Sequence, residues 1–182
     1  MIAALDYIIQ AVSSLVIFVI LLRFWLPWFR VDFRNPVAQG ILKLTSPLVI
    51  PLRRILPPIG RVDTATVVVV FAIQYLTIVV RLFLVGASGA FGPLALTSII
   101  YLGIATANLF MLVIIVHILL GWFAPGVYNP VTALVSSISN PLLSPFRRLV
   151  PPLGGFDITP VIPLILLGAA TRLLMSWAPI PI

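Results

Sequence analysis

Cysteine is absent from this chain, which excludes disulfide bonds, thiolate metal sites and cysteine nucleophiles. Ionisable groups are nearly as scarce. One histidine and four carboxylates leave little from which to build a catalytic centre or a metal cage. Charged residues make up 8% of the 182 positions, where a water-soluble domain carries about a quarter. What fills the sequence is apolar: 62% of residues are hydrophobic and the mean hydropathy is +1.24. Such a chain is an integral membrane protein. Its net charge of +7 points away from nucleic acid, because the basic residues lie between hydrophobic segments, where they face anionic cytoplasmic lipid.

The chain repeats itself. Residues 35–63 return without a gap as residues 129–157, and about 12 of these 29 positions are identical. Asn35-Pro36 returns as Asn129-Pro130, Pro47 as Pro141, Pro51 as Pro145, and Arg53-Arg54 as Arg147-Arg148. Pro57-Pro58 returns as Pro151-Pro152, Gly60 as Gly154, and Asp63 as Asp157. The matched types mainly fix backbone shape or membrane depth rather than fill a core. Upstream, the same register pairs Trp28-Phe29 with Trp122-Phe123 and Arg23 with His117.

Hydropathy predicts an all-α membrane protein with four transmembrane helices, over about 3–26, 64–85, 95–123 and 158–178. The first apolar run lacks a basic start and a small-residue cleavage pattern, so it reads as a span rather than a cleaved signal. Between the spans, Asn-Pro at 35 and 129 and Ser46-Pro47 or Asn140-Pro141 each read as a helix start. Each repeated segment, 35–62 and 129–156, is therefore expected to hold a hairpin of two short helices, the first pair over Pro36 to Thr45 and Pro47 to Leu56. Neither is long enough to span, so the hairpins are interfacial or re-entrant. Arg30, Arg34, Lys43, Arg53, Arg54 and Arg61 make the first loop basic, which puts both loops in the cytoplasm and both termini in the periplasm. The halves, 1–92 and 93–182, are thus parallel repeats.

Arg53, Arg54, Arg147 and Arg148 are the candidate lipid- or partner-binding residues, since guanidinium groups bind phosphate bidentately at headgroup depth. Their plain alternative is topological, basic charge holding a loop inside. The polar residues within spans are Arg23, Arg81, Asn108, His117 and Arg172. Arg23 reads as an anchor whose stem snorkels toward the interface near Trp28. His117 is open to a proton-relay or haem role, but it is solitary and its pairing with Arg23 fits an interfacial polar residue. Asp63 and Asp157 read as helix caps, with salt bridges to Arg54 and Arg148. Gly103 and Ala107 have the small-xxx-small spacing of close helix approach.

The doubled pattern, Asn-Pro, Ser/Asn-Pro, Pro-x-Arg-Arg-x-x-Pro-Pro-x-Gly and then Asp before a hydrophobic span, resembles the YggT family, also called YlmG, over nearly the whole chain. Gly155 stands where the first copy has Arg61, and Arg34 and Lys43 have no basic counterparts. The resemblance implies an accessory protein of the bacterial inner membrane, linked to osmotic or ion homeostasis and to cell division or envelope organisation. It also implies likeness to plastid factors for cytochrome cofactor assembly and nucleoid organisation, and brings no catalytic residue. The reading is a non-enzymatic inner-membrane scaffold or assembly factor without cofactor or metal. Its partners would be anionic headgroups, other inner-membrane proteins and further copies of itself. The alternative is a small oligomeric channel or transporter component.

Overall fold

The computed structural model describes residues 2–60, 62–123, 126–148 and 159–180. They form six helices: α1 (Ile2–Trp25), α2 (Pro36–Arg53), α3 (Thr64–Leu84), α4 (Phe91–Phe123), α5 (Pro130–Arg147) and α6 (Val161–Ser176). Among the described residues, extended pairing is limited to one isolated bridge between Ile59 and Val62. Helix suits such a sequence because it satisfies its own backbone in hydrocarbon. Three helices, α1, α3 and α4, are long and apolar enough to cross a membrane, and they mark the chain as a membrane protein.

Local chemistry sets the helix ends. α3 stops at Gly86, whose φ of 70° is the left-handed conformation that closes a helix. There the Ala87 amide donates to the Leu82 carbonyl at 2.9 Å and the Gly86 amide to Phe83 at 3.1 Å. α4 begins at Phe91 rather than 95, because Pro93 falls in the first turn, where a missing N–H costs nothing. Its 33 residues extend about 50 Å, beyond a hydrocarbon core of about 30 Å. α6 has 16 residues, about 24 Å, so the span expected over 158–178 is shorter than drawn. Pro160 precedes its start, and Pro179 disfavours helix at Ala178 beyond its end.

α1 and α3 run antiparallel, as Asp6 near the start of one meets Arg81 near the end of the other. α4 and α6 do the same, with Gly103 facing Leu174; a Cβ at Gly103 would stand 3.4 Å from the Leu174 Cδ1, ordinary contact. α1 and α4 run in the same sense and share a core that includes Ile17, Ile20, Leu21, Leu109 and Val113. At one end, α2 packs on α1 and α3, α5 packs on α4 and α6, and α2 touches α5. Both repeated segments therefore lie at the same end of the bundle. Leu15, Leu76, Ile99 and Ile165 are among the large apolar side chains left exposed, the surface that lipid covers in a membrane.

The two-helix hairpins do not form. Among the described residues each segment holds instead one helix of 18 residues that runs through its internal prolines. Ser46 caps nothing; its hydroxyl donates back to the Leu42 carbonyl at 2.6 Å. Asn140 is likewise inside α5, and its side-chain oxygen accepts from Arg147 at 3.2 Å. Pro47 and Pro51 are one turn apart, so both missing donors fall on one side of α2, and that side is exposed. The opposite stripe, Ala38, Ile41, Thr45 and Val49, is buried without a break. Close packing of this stripe on α1 and α3 favours one continuous helix, which offsets ladder bonds the prolines forgo.

Candidate functional site at the motif end of the bundle

Asn35 begins the site. Its side-chain oxygen accepts from the amides of Val37 at 2.8 Å and Ala38 at 3.4 Å, satisfying donors that the first helical turn leaves free. Pro36 follows at the first helical position. The other end of the same amide reaches the second repeat, Nδ2 donating to the Pro130 carbonyl at 2.7 Å. Asn129 caps α5 differently, through a reciprocal pair in which it accepts from the Thr132 amide and its own amide donates to Thr132 Oγ1. Asn35→Ala is expected to cost about 1–2 kcal/mol in thermal unfolding in detergent, while Asn35→Asp keeps the cap and loses only the donor to Pro130. An alanine variant as stable as the native protein would show that this cap and link do nothing.

At the far end of α2, Pro57-Pro58 and Gly60 turn the chain back. Gly60 has φ of 60° between the bridged residues Ile59 and Val62, and the Thr64 hydroxyl donates to the Pro57 carbonyl at 2.7 Å. This turn brings Asp63 against Arg53, whose Nη2 lies 2.8 Å from Oδ2. The Thr66 hydroxyl donates to the same oxygen at 2.8 Å. Asp63 makes no side-chain bond to a backbone amide of α3, and its partner is Arg53 rather than Arg54. The turn geometry decides this, because it presents the inner face of α2 to the start of α3.

Arg23 does not snorkel outward. Its side chain is 6% exposed and turns into the space between α1 and α2. Nη1 donates to Thr45 Oγ1 at 2.9 Å and to the Leu42 carbonyl at 3.2 Å, while Nε stands 4.0 Å from Asp63 Oδ2. A buried guanidinium needs acceptors more than depth, and α2 supplies them one turn before its prolines. Thr45 in turn donates to the Ile41 carbonyl at 2.7 Å. Two buried atoms, Arg23 Nε and Asp63 Oδ1, have no hydrogen-bond partner among the described residues.

The arginine pairs are divided by this arrangement. Arg53 is tied to Asp63 and Arg147 to Asn140. Arg54 and Arg148 occupy the C-cap positions, are exposed, and have no side-chain partner among the described residues. Lys43 is also exposed and lies about three turns before Arg54, on the same side of α2. In the second copy, Ser139 takes the place of Thr45 and is fully buried, with its hydroxyl unpartnered among the described residues. His117, in the place of Arg23, lines a cavity of about 190 Å³ with Thr132 and Ser136. Pro141 and Pro145 lie on the exposed side of α5. Arg61, Pro151, Pro152, Gly154, Gly155 and Asp157 lie outside the described residues.

Toward the opposite end, Arg81 forms a two-point ion pair with Asp6, Nε to Oδ1 at 2.7 Å and Nη2 to Oδ2 at 3.1 Å. Sequence reasoning singled out Arg81 and missed Asp6. The signal was available: a carboxylate near the start of one span and a cation near the end of the antiparallel span share a depth. Asn108 is exposed on α4, and Arg172 is exposed on α6. Among the described residues no three His, Asp or Glu side chains come together as a metal site would require. The motif end thus offers exposed cations that are unpaired among the described residues, beside apolar surface, chemistry suited to anionic groups at a membrane surface.

A family model described as CCB3/YggT matches the chain twice, over residues 2–84 and 95–178. An uncharacterized protein of Pseudomonas aeruginosa is 41% identical over 157 residues, covering 85% of this chain and 80% of its own length. The uncharacterized protein YggT of Escherichia coli is 32% identical over 164 residues, covering 90% and 85%. YlmG homolog protein 2, chloroplastic, of Arabidopsis thaliana is 33% identical over 72 residues, covering 38% of this chain and 27% of its own. No solved structure matches.

Proposed function

The chain belongs to the CCB3/YggT family, and from that premise we propose that it is a non-enzymatic scaffold or assembly factor of the bacterial inner membrane that grips anionic headgroups at its motif end. The division of the arginine pairs carries this reading. Arg53 spends its charge on Asp63, whereas Arg54 and Arg148 hold theirs at the surface. Lys43 adds a third exposed cation on the side of α2 that carries Arg54.

In this reading the motif end faces the cytoplasm, four segments cross the membrane with α6 as the shortest, and both termini are periplasmic. α2 is amphipathic and partly re-entrant. Leu44 and Leu48 share a cavity of about 280 Å³ with Leu15 and Val19 of α1, and Leu15 lies roughly 15 Å along α1 from its end at Trp25. That contact supports a helix sunk below the headgroups at its middle, with its basic end returning to them. Docked in this way, α2 and α5 form a platform for acidic partners as well as lipid.

The test is lipid selectivity. In nanodiscs of mixed phosphatidylglycerol and phosphatidylcholine, the native protein should retain the anionic lipid in native mass spectrometry. Each surface arginine contributes about 1 kcal/mol toward an anionic membrane, so Arg54→Gln/Arg148→Gln should lower the preference roughly 25-fold. An unchanged preference in the double variant would overturn the assignment.

A further inference from the structure

Away from the motif end, polar stripes on three helices face one another at membrane depth. On α1, Gln10, Ser13 and Ser14 follow Asp6 at intervals of one turn; α3 contributes Gln74 and α4 contributes Asn108. All five line one cavity of about 390 Å³, a volume within the range of small-ligand sites. None of these five side chains has a hydrogen-bond partner among the described residues, and Gln74 is 8% exposed. An amide or hydroxyl left unsatisfied in hydrocarbon costs several kcal/mol. That cost bears on Gln74, the buried one of the five; the convergence of all five on one space marks it as polar rather than as an apolar packing gap.

The chemistry of the lining selects the ligand. No carboxylate lines the cavity, so a cation finds no opposing charge there. Arg81 lines it, but Asp6 already holds that arginine at two points, so an anion finds no uncommitted charge. What remains are three amides and the hydroxyls of Ser13, Ser14, Thr77 and Tyr101, which donate and accept in comparable measure. Ile17 and Leu109 supply apolar contact between them. Hydroxyl groups on a short carbon skeleton match this combination, because each both donates and accepts and each carbon presents C–H to the apolar wall. Gln10, Ser14 and Asn108 retain exposure, so the cavity is open to its surroundings.

We propose that this cavity is a binding site for a neutral polyhydroxyl group, either a free polyol or the sugar headgroup of a neutral glycolipid. The full chain in phosphatidylcholine nanodiscs is examined by saturation-transfer NMR with glycerol and myo-inositol, and by native mass spectrometry with monoglycosyl diacylglycerol. The variant Gln74→Leu/Asn108→Leu replaces amides by apolar groups that a membrane bundle accommodates; Ser13→Ala/Ser14→Ala provides a second, milder change. A saturable polyol signal that weakens at least ten-fold in the first variant supports a free polyol. Retention of the glycolipid over phosphatidylcholine, lost in that variant, supports the headgroup. Binding of neither probe, or binding that persists in both variants, overturns the proposal and leaves a cavity filled by water.

Discussion

Asp63→Asn is expected to cost roughly 3–5 kcal/mol of stability, the usual penalty for removing one partner from a buried ion pair. The carboxylate sits 13% exposed between two guanidinium groups, Arg53 at 2.8 Å and Arg23 at 4.0 Å. Asparagine keeps the shape and an acceptor for Thr66, but leaves Arg23 buried beside Arg53 with no opposing charge. Arg23→Met in the same chain should restore much of the loss, because the uncompensated cation goes with it. Equilibrium unfolding in mixed detergent micelles measures both. If Asp63→Asn falls within about 1 kcal/mol of the native protein, the network is not what holds α2 to α1 and α3.

Ile138→Ala should be the other severe change, at about 2–5 kcal/mol for a large side chain removed from a closed site. Ile138 is completely buried on the inner stripe of α5, with Leu134, Val135, Ser139 and Leu143 beside it. The informative comparison is Pro141→Ala, three residues on but on the exposed side of the helix. If α5 is a docked helix held by its inner stripe, the isoleucine change loosens it and the proline change leaves it in place. Hydrogen exchange across residues 130–147 reads this directly. Were α5 instead two helices hinged at Asn140, Pro141→Ala would be the change that alters exchange, and Ile138→Ala would perturb only the first half.

The expected hinge shows how far local signals reach. Ser46-Pro47 and Asn140-Pro141 carry the marks of a helix start, and a proline in a helix interior forgoes a backbone bond. Which outcome prevails depends on whether the side opposite the prolines is buried, a property of the helices packed against it rather than of the dipeptide. Arg23 tells the same story. A cation five residues before Trp28 looks like an interfacial anchor until Leu42, Thr45 and Ser46 offer it acceptors. Asn35, by contrast, was legible as a cap from its own chemistry and the proline after it, although its bond to Pro130 was not.

Composition alone determined that this is a membrane protein, because hydropathy is a sum over residues and needs no partner. The repeat, its turn-forming prolines and glycines, and the family pattern were equally available, since each residue there constrains its own backbone. The tertiary structure alone decided which arginine of each pair is spent and which has no partner among the described residues, that α2 and α5 each run as one helix through their prolines, and that polar stripes on three helices meet in one cavity. Those outcomes depend on helix rotation and register. Packing summed over the whole bundle sets both, and contacts such as Asp6 to Arg81 or Asn35 to Pro130 join positions 75 and 95 residues apart.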